Sequence, residues 1–251
     1  MKFNFIVIIL LSHITFSQKE NIALKKGKWN ASLQLSPKDY LPFNLKVKKN
    51  NRLTIINANE EIQLEPGFIK NDSLHYHFPF FNSELVLKPG SNNLSGYWIN
   101  HNKGSHYKIP FTANKGKKER FSHLNKKRKS SYFDGRWKVE FEPGTNSSYP
   151  ALGLFNQKKN NISGTFLTET GDYRYLDGNT TNDSLFLSCF DGSHAFLFKA
   201  KYINDSLIGK FYSGNHWESN WNATRNNEFE LSSPEDLTSI SKNEKVAFKF
   251  P

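Results

Sequence analysis

Three short turns carry most of the groups in this sequence that could do chemistry. Glu169-Thr170-Gly171-Asp172, Asp191-Gly192-Ser193-His194 and Ser213-Gly214-Asn215-His216 hold between them three carboxylates and two imidazoles. Acid-and-imidazole sets suit divalent cations, and paired carboxylates suit proton transfer. The surrounding stretch, Gly164 to Trp221, consists of short apolar or alternating runs cut by Gly, Asn and Asp, the pattern of an antiparallel meander. In a meander, alternate turns share one end of the sheet. Glu169, Asp172 and Asp191 are therefore expected to gather with His194 and His216 at one pole, with Arg174 and Trp217 completing a candidate ligand-binding mouth.

The same residues have a plainer reading. Gly-Asp and Asp-Gly are ordinary hairpin residues that satisfy their own backbones. Asp172 and Arg174, two apart on one strand face, can pair with each other. Turn-and-salt-bridge structure is the leading reading, a ligand mouth the second, and a metal centre or hydrolysis trail both. No Ser/His/Asp context, phosphate loop or H-E-x-x-H helix accompanies the cluster. No catalytic residue, metal or cofactor is assigned. Cys189 is the only cysteine, with no disulfide partner and no zinc-type spacing. It shares a strand face with Leu185 and Leu187 and reads as a small buried hydrophobe, a reactive thiol being the alternative.

The elements that must position these groups are strands. Periodicity predicts eight in a first half, near residues 29–35, 43–48, 53–57, 60–64, 74–79, 84–88, 94–100 and 107–113. A second half has eight more, near residues 137–141, 151–157, 161–168, 173–178, 184–190, 194–202, 206–212 and 216–224. Only residues 234–240, with Ser233 as N-cap and an acidic first turn, read as a short helix. The halves repeat one pattern at a spacing of roughly a hundred residues. Gly27-Lys28-Trp29 corresponds to Gly135-Arg136-Trp137, Asp72-Ser73-Leu74 to Asp183-Ser184-Leu185, and Leu94-Ser95-Gly96 to Leu207-Ile208-Gly209. Eight up-and-down strands with a Gly-x-Trp opening resemble the calycin type of closed barrel, the lipocalin and avidin architecture. The fold expected is all-β, two tandem calycin-like meander barrels. Residues 27–114 form the first, 115–131 a basic linker, 132–226 the second and 227–251 a tail. Trp29 and Trp137 are expected to plug barrel ends, Gly96, Gly164 and Gly209 to permit strand bends, and the aromatic residues, 15% of the chain, to fill the cores.

Charge narrows the partners. The net +11 is largely local: residues 115–129 hold eight basic residues against one acid, Glu119, seven of the eleven net charges. Such a run between folded units reads as a solvated linker, with at most a weak attraction to anionic lipid headgroups. No nucleic-acid-binding motif is present, and nucleic acid is not an expected partner. Met1-Lys2, the apolar run Phe3–Leu11 and the small or polar residues that follow read as a secretory signal over residues 1–17. The protein is expected to be exported, periplasmic or secreted.

Longer strings carry a family resemblance. Residues 164–176 (GTFLTETGDYRYL), 189–198 (CFDGSHAFLF) and 212–217 (YSGNHW), with Leu41-Pro42-Phe43 and Ile109-Pro110-Phe111 in the first half, resemble the β-rich N-terminal region of exported TlpA-like thiol–disulfide oxidoreductases. The resemblance covers about residues 27–251. It implies a thioredoxin-fold domain beyond the tail, bearing the C-x-x-C dithiol on which exchange chemistry depends. That dithiol is not in this sequence, so the resemblance brings no catalytic residue to it. It implies a non-catalytic accessory or binding module in a redox context, with a thioredoxin-fold domain or a client protein as partner. The alternative is a stand-alone calycin-like binding protein for a small molecule or peptide.

Overall fold

The computed structural model describes residues 23–104, 106–116, 119–121 and 132–233. The expected signal segment, the short helix at residues 234–240 and most of the basic linker lie outside them.

Alternation of apolar and polar side chains builds two antiparallel sheets. The first holds β1 (Gly27–Gln34), β2 (Tyr40–Val47), β3 (Leu53–Asn57), β4 (Glu60–Gln63), β5 (Phe68–Lys70), β6 (Ser73–His77), β7 (Ser83–Pro89), β8 (Asn93–Asn100) and β9 (Lys108–Lys115). The second holds β10 (Gly135–Phe141), β11 (Tyr149–Lys158), β12 (Asn161–Thr168), β13 (Gly171–Asp172), β14 (Leu176–Thr181), β15 (Ser184–Phe190), β16 (Ala195–Ile203), β17 (Ser206–Ser213) and β18 (Trp217–Arg225). Among the described residues no helix is long and apolar enough to cross a membrane.

The second sheet closes into an eight-stranded barrel. β10 pairs with both β11 and β18, and β12 joins β11 to β14, so every long strand has two neighbours. Closure needs sharp strand bends. A Cβ on Gly164 or Gly209 would strike the carbonyl oxygen of Leu154 or Lys199 on the adjacent strand, which only glycine avoids. The bore is filled by Trp137, Phe141, Phe166, Phe198, Phe211 and Trp221. Their rings pack as close as 4.5 Å between centroids for Phe198 and Phe211 and 4.6 Å for Phe166 and Phe198.

The first sheet curls in the same order but does not close by strand pairing. Its edges, β4 and β5, are not paired with each other. The seam is crossed by a backbone bond just past β4, where Glu65 N–H donates to the His77 carbonyl. Its buried core is completed by Phe190, Ala195 and Leu197 of the second unit. β15 and β16 are thus buried on both faces. Leu185, Leu187, Phe196 and Phe198 point into the barrel, while Phe190 and Leu197 serve the neighbouring sheet.

Both Gly-x-Trp openings act as end plugs. The indole N–H groups of Trp29 and Trp137 donate to the carbonyls four residues upstream, Lys25 and Phe133, each at 2.9 Å. Arg225 lies over the Trp137 ring, 4.5 Å from its centroid, and donates to the carbonyls of Tyr132 and Asp134. Two details depart from the sequence reading. β5, three exposed residues, was not expected from the pattern. The strand expected over residues 173–178 is interrupted, because Arg174 adopts a left-handed backbone (φ 63°) between β13 and β14.

Candidate functional site

The alternate turns do lie at one end of the barrel, but the groups on them are divided among separate contacts. The central one is the β15–β16 turn. Asp191 is fully buried, and its Oδ1 accepts from the backbone N–H groups of Ser193 (2.8 Å) and His194 (2.7 Å). Its Oδ2 faces His194 Nδ1 at 2.9 Å and Arg174 Nε at 3.2 Å. The guanidinium continues to Glu60 of the first sheet, with Nη2 2.7 Å from Oε1. Burial pushes the Asp191 carboxyl up, but hydrogen bonding to His194 and its charge outweigh that and hold the group below its ordinary value.

This turn docks into the open end of the first unit. The Phe190 ring sits 4.7, 5.1 and 5.5 Å from those of Phe43, Trp98 and Phe78. Asn57 pairs with the Phe190 backbone as a strand would, its amide donating to the carbonyl (2.9 Å) and its oxygen accepting the N–H (3.3 Å). The Gly192 carbonyl accepts from Ser83 Oγ at 2.5 Å and Trp98 Nε1 at 3.2 Å. Gly192 has φ 97°, and a side chain there would collide with the Phe78 ring. Sequence reading missed Glu60, Asn57 and Ser83 because each lies more than a hundred residues from its partner. One signal was available: the run Leu185-Phe186-Leu187-Ser188-Cys189-Phe190 lacks the alternation of a half-buried strand, the mark of burial on both faces.

The basic linker is corrected in the same way. It was expected to be solvated, yet Arg120 and Phe121 are buried between the units. Arg120 donates to the carbonyls of Ile56 (2.6 Å) and Ser188 (3.1 Å), reaches Ser188 Oγ (3.3 Å), and places Nε 3.2 Å from Asp177 Oδ2. Asp172 and Arg174 do not pair through their side chains. The carboxylate accepts the Arg174 backbone N–H at 2.8 Å, while the guanidinium goes to Glu60 and Asp191. Glu169 is exposed on the β12–β13 turn, and Trp217 is half exposed at the start of β18.

His216 makes another contact between the units. Lys103 Nζ lies 3.0 Å from its Nε2 and Tyr107 Oη 3.1 Å from its Nδ1. An ammonium can only donate, so Nε2 accepts and Nδ1–H donates to the phenol oxygen, fixing a neutral ring. Burial, and then the Lys103 charge, lower the His216 pKa. A histidine depressed in the folded state stabilises it above the unfolded value, about 6.5, and that contribution is lost as pH falls through the folded value. NMR titration of the His216 Cε1 proton is expected to give a midpoint below 6.5 that rises in Lys103→Ala. A midpoint above 6.5 in the parent chain would refute the assignment.

Chemically these arrangements hold surfaces together. Asp191 has no free lone-pair direction for a substrate. Among the described residues no group of three or more His, Cys, Asp and Glu is arranged to hold a metal ion. Cys189 is wholly buried in the barrel, and burial, followed by the Asp191 charge, pushes its thiol far above the ordinary range. Compared with known families, characterised proteins and solved structures, the chain finds no match.

Proposed function

We propose that this chain is a rigid, non-catalytic binding module of an exported thiol–disulfide oxidoreductase of the TlpA-like type, presenting a thioredoxin-fold domain or its client. One observation carries the reading: the single thiol is sealed inside the barrel, while Asp191 holds Arg174 against Glu60 and His216 meets Lys103 and Tyr107, so these groups join the units. Function is then left to the outer surface. The redox context and the export rest on the resemblance of residues 164–176, 189–198 and 212–217 and on the leader-like Phe3–Leu11 run. The alternative, a calycin-like protein carrying a small molecule in its bore, is disfavoured because aromatic rings occupy that bore.

The test has two arms. Alone, the chain is expected to leave insulin disulfides intact, and Cys189 to react with a thiol reagent about a thousandfold slower in the native protein than in denaturant. A TlpA-type thioredoxin-fold domain supplied as a separate polypeptide is expected to bind it in calorimetry. Disulfide reduction that Cys189→Ser abolishes, or no heat of binding at about 1 mM, would reject the reading.

A further inference from the structure

The outer wall of the barrel carries a groove that none of these contacts uses. The Ala58–Asn59 turn between β3 and β4 overhangs the outward face of β11, β12 and β14. Two adjoining clefts, of about 450 and 430 Å³, share Ala58, Asn59 and Ser163 in their linings. Each is ligand-sized, within the range of about 300–1,000 Å³. Across the floor, Asn156 pairs with Ser163 and Ser163 with Asp177. This row of polar side chains crosses three strands at intervals of about 4.8 Å. Lys158 closes one end of the groove, and Tyr175, half exposed, stands at the other.

The polar side chains around the groove differ in whether the protein already occupies them. Asn160, Asn161 and Asn179 nearby are hydrogen-bonded within the protein. Asn59, Asn156 and Ser163 make no side-chain hydrogen bond to any described residue, and no described ring stacks on Tyr175. The walls are nevertheless fixed. Glu60, next to Asn59, is tied to Arg174, and Asp177 is tied to Arg120. Unpaired donors and acceptors on preorganised walls are what a polar ligand needs, since little ordering remains to be done on binding.

Charge and backbone select the ligand class. Lys158 and Arg174 are balanced by Asp172 and Asp177, and Arg174 is committed to Glu60 and Asp191. The groove therefore has no surplus cation for a phosphate or other anion. Its floor strands are already paired, so an extended peptide could not add to them as a further strand. Amides and a hydroxyl that both donate and accept match the vicinal hydroxyls of a sugar, and an exposed phenol ring offers a flat apolar platform to its C–H face. We propose that this groove binds a neutral oligosaccharide, a role that goes beyond the accessory-module reading and does not depend on it.

Calorimetric titration of the full chain with cellohexaose, maltohexaose and chitohexaose, mapped by ¹H–¹⁵N NMR, tests the proposal. At least one is expected to bind saturably with a dissociation constant between about 1 μM and 1 mM, and both Tyr175→Ala and Asn156→Ala to weaken it about tenfold. Both residues are exposed, so neither change should alter the melting temperature. No saturable binding of any of the three, or binding that survives both substitutions, would overturn it. An extended uncharged peptide that perturbs the groove where all three sugars fail would instead assign it to polypeptide. None of these outcomes bears on insulin reduction or on association with a thioredoxin-fold domain, so the two readings fail separately.

Discussion

Arg120→Ala is expected to lower the unfolding free energy by about 2–4 kcal/mol, because the buried guanidinium leaves behind several carbonyls it satisfied, each costing about 1–3 kcal/mol when stranded. The guanidinium stands at the junction of both units and fills several vacancies at once. It satisfies the carbonyls of Ile56 and Ser188 and faces Asp177, while Ser188 Oγ is also bonded to the Pro42 carbonyl. Removing it strands these acceptors in a closed interface, where each unsatisfied polar group costs about 1–3 kcal/mol. Burial works against the charge and lowers the Arg120 pKa, and Asp177 opposes that shift. Lysine is a poor substitute, because one compact ammonium cannot reach acceptors arranged for a planar fork. Arg120→Lys should recover less than half of the loss. Urea denaturation followed by fluorescence reads the result: Trp29 and Trp98 report the first unit, Trp137 and Trp221 the second. Wild type is expected to unfold in one transition and Arg120→Ala in two, the first unit earlier because its core borrows Phe190 and Leu197. A loss under about 1 kcal/mol, no more than a surface pair gives, would show that the guanidinium does not clasp the units.

How far the sequence could be read depends on whether the contacts are local. The limits of β3, β12 and β15 coincide with the runs 53–57, 161–168 and 184–190, because alternation and flanking turn residues are properties of the strand itself. β5 was invisible since Phe68, Ile69 and Lys70 are all exposed and give no alternation. The break at Arg174 was equally hidden, as nothing in Tyr-Arg-Tyr announces a left-handed residue. For the candidate site, meander topology places Asp191, His194 and His216 at one end. It cannot say that this end faces a second sheet. Asp191-Gly192 was legible as a turn, and its carboxylate does bond its own backbone. Its other partners, His194 and Arg174, belong to the same half, but Glu60, which Arg174 reaches, and the Lys103 and Tyr107 that meet His216 come from the first half. Arg120 was obscured differently: among eight cations in fifteen residues, composition could not mark the one that is buried.

Asp191→Ala carries the second large effect and separates the turn's local role from its role between the units. The carboxylate serves two clients. Oδ1 holds the turn by accepting two backbone N–H groups, and Oδ2 holds Arg174, which reaches across to Glu60. Alanine removes both, leaving the turn's two backbone N–H groups without their acceptor and Arg174 with Glu60 alone, which should cost about 2–4 kcal/mol at about 1–3 kcal/mol for each unsatisfied buried polar group. Asparagine keeps an acceptor for the turn but puts a donor NH2 where Oδ2 accepted from Arg174 and His194, so Asp191→Asn spares the turn, loses the Arg174 link and should cost less than alanine. The pH dependence follows from the lowered Asp191 pKa. A carboxyl depressed in the folded state contributes stability that is fully present above its unfolded value, about 3.9. That contribution is lost as pH falls through the folded value. The stability gap between wild type and Asp191→Asn should therefore shrink below about pH 4. Denaturation curves at several pH values measure the gap, and hydrogen exchange at Phe190–Ala195 reports whether the turn has left the first unit. If Asp191→Ala stays within about 1 kcal/mol of wild type, or the gap persists unchanged into acid, the carboxylate is not the bolt between the units. The turn would then have to be held by Asn57, Ser83 and the Phe190 ring alone.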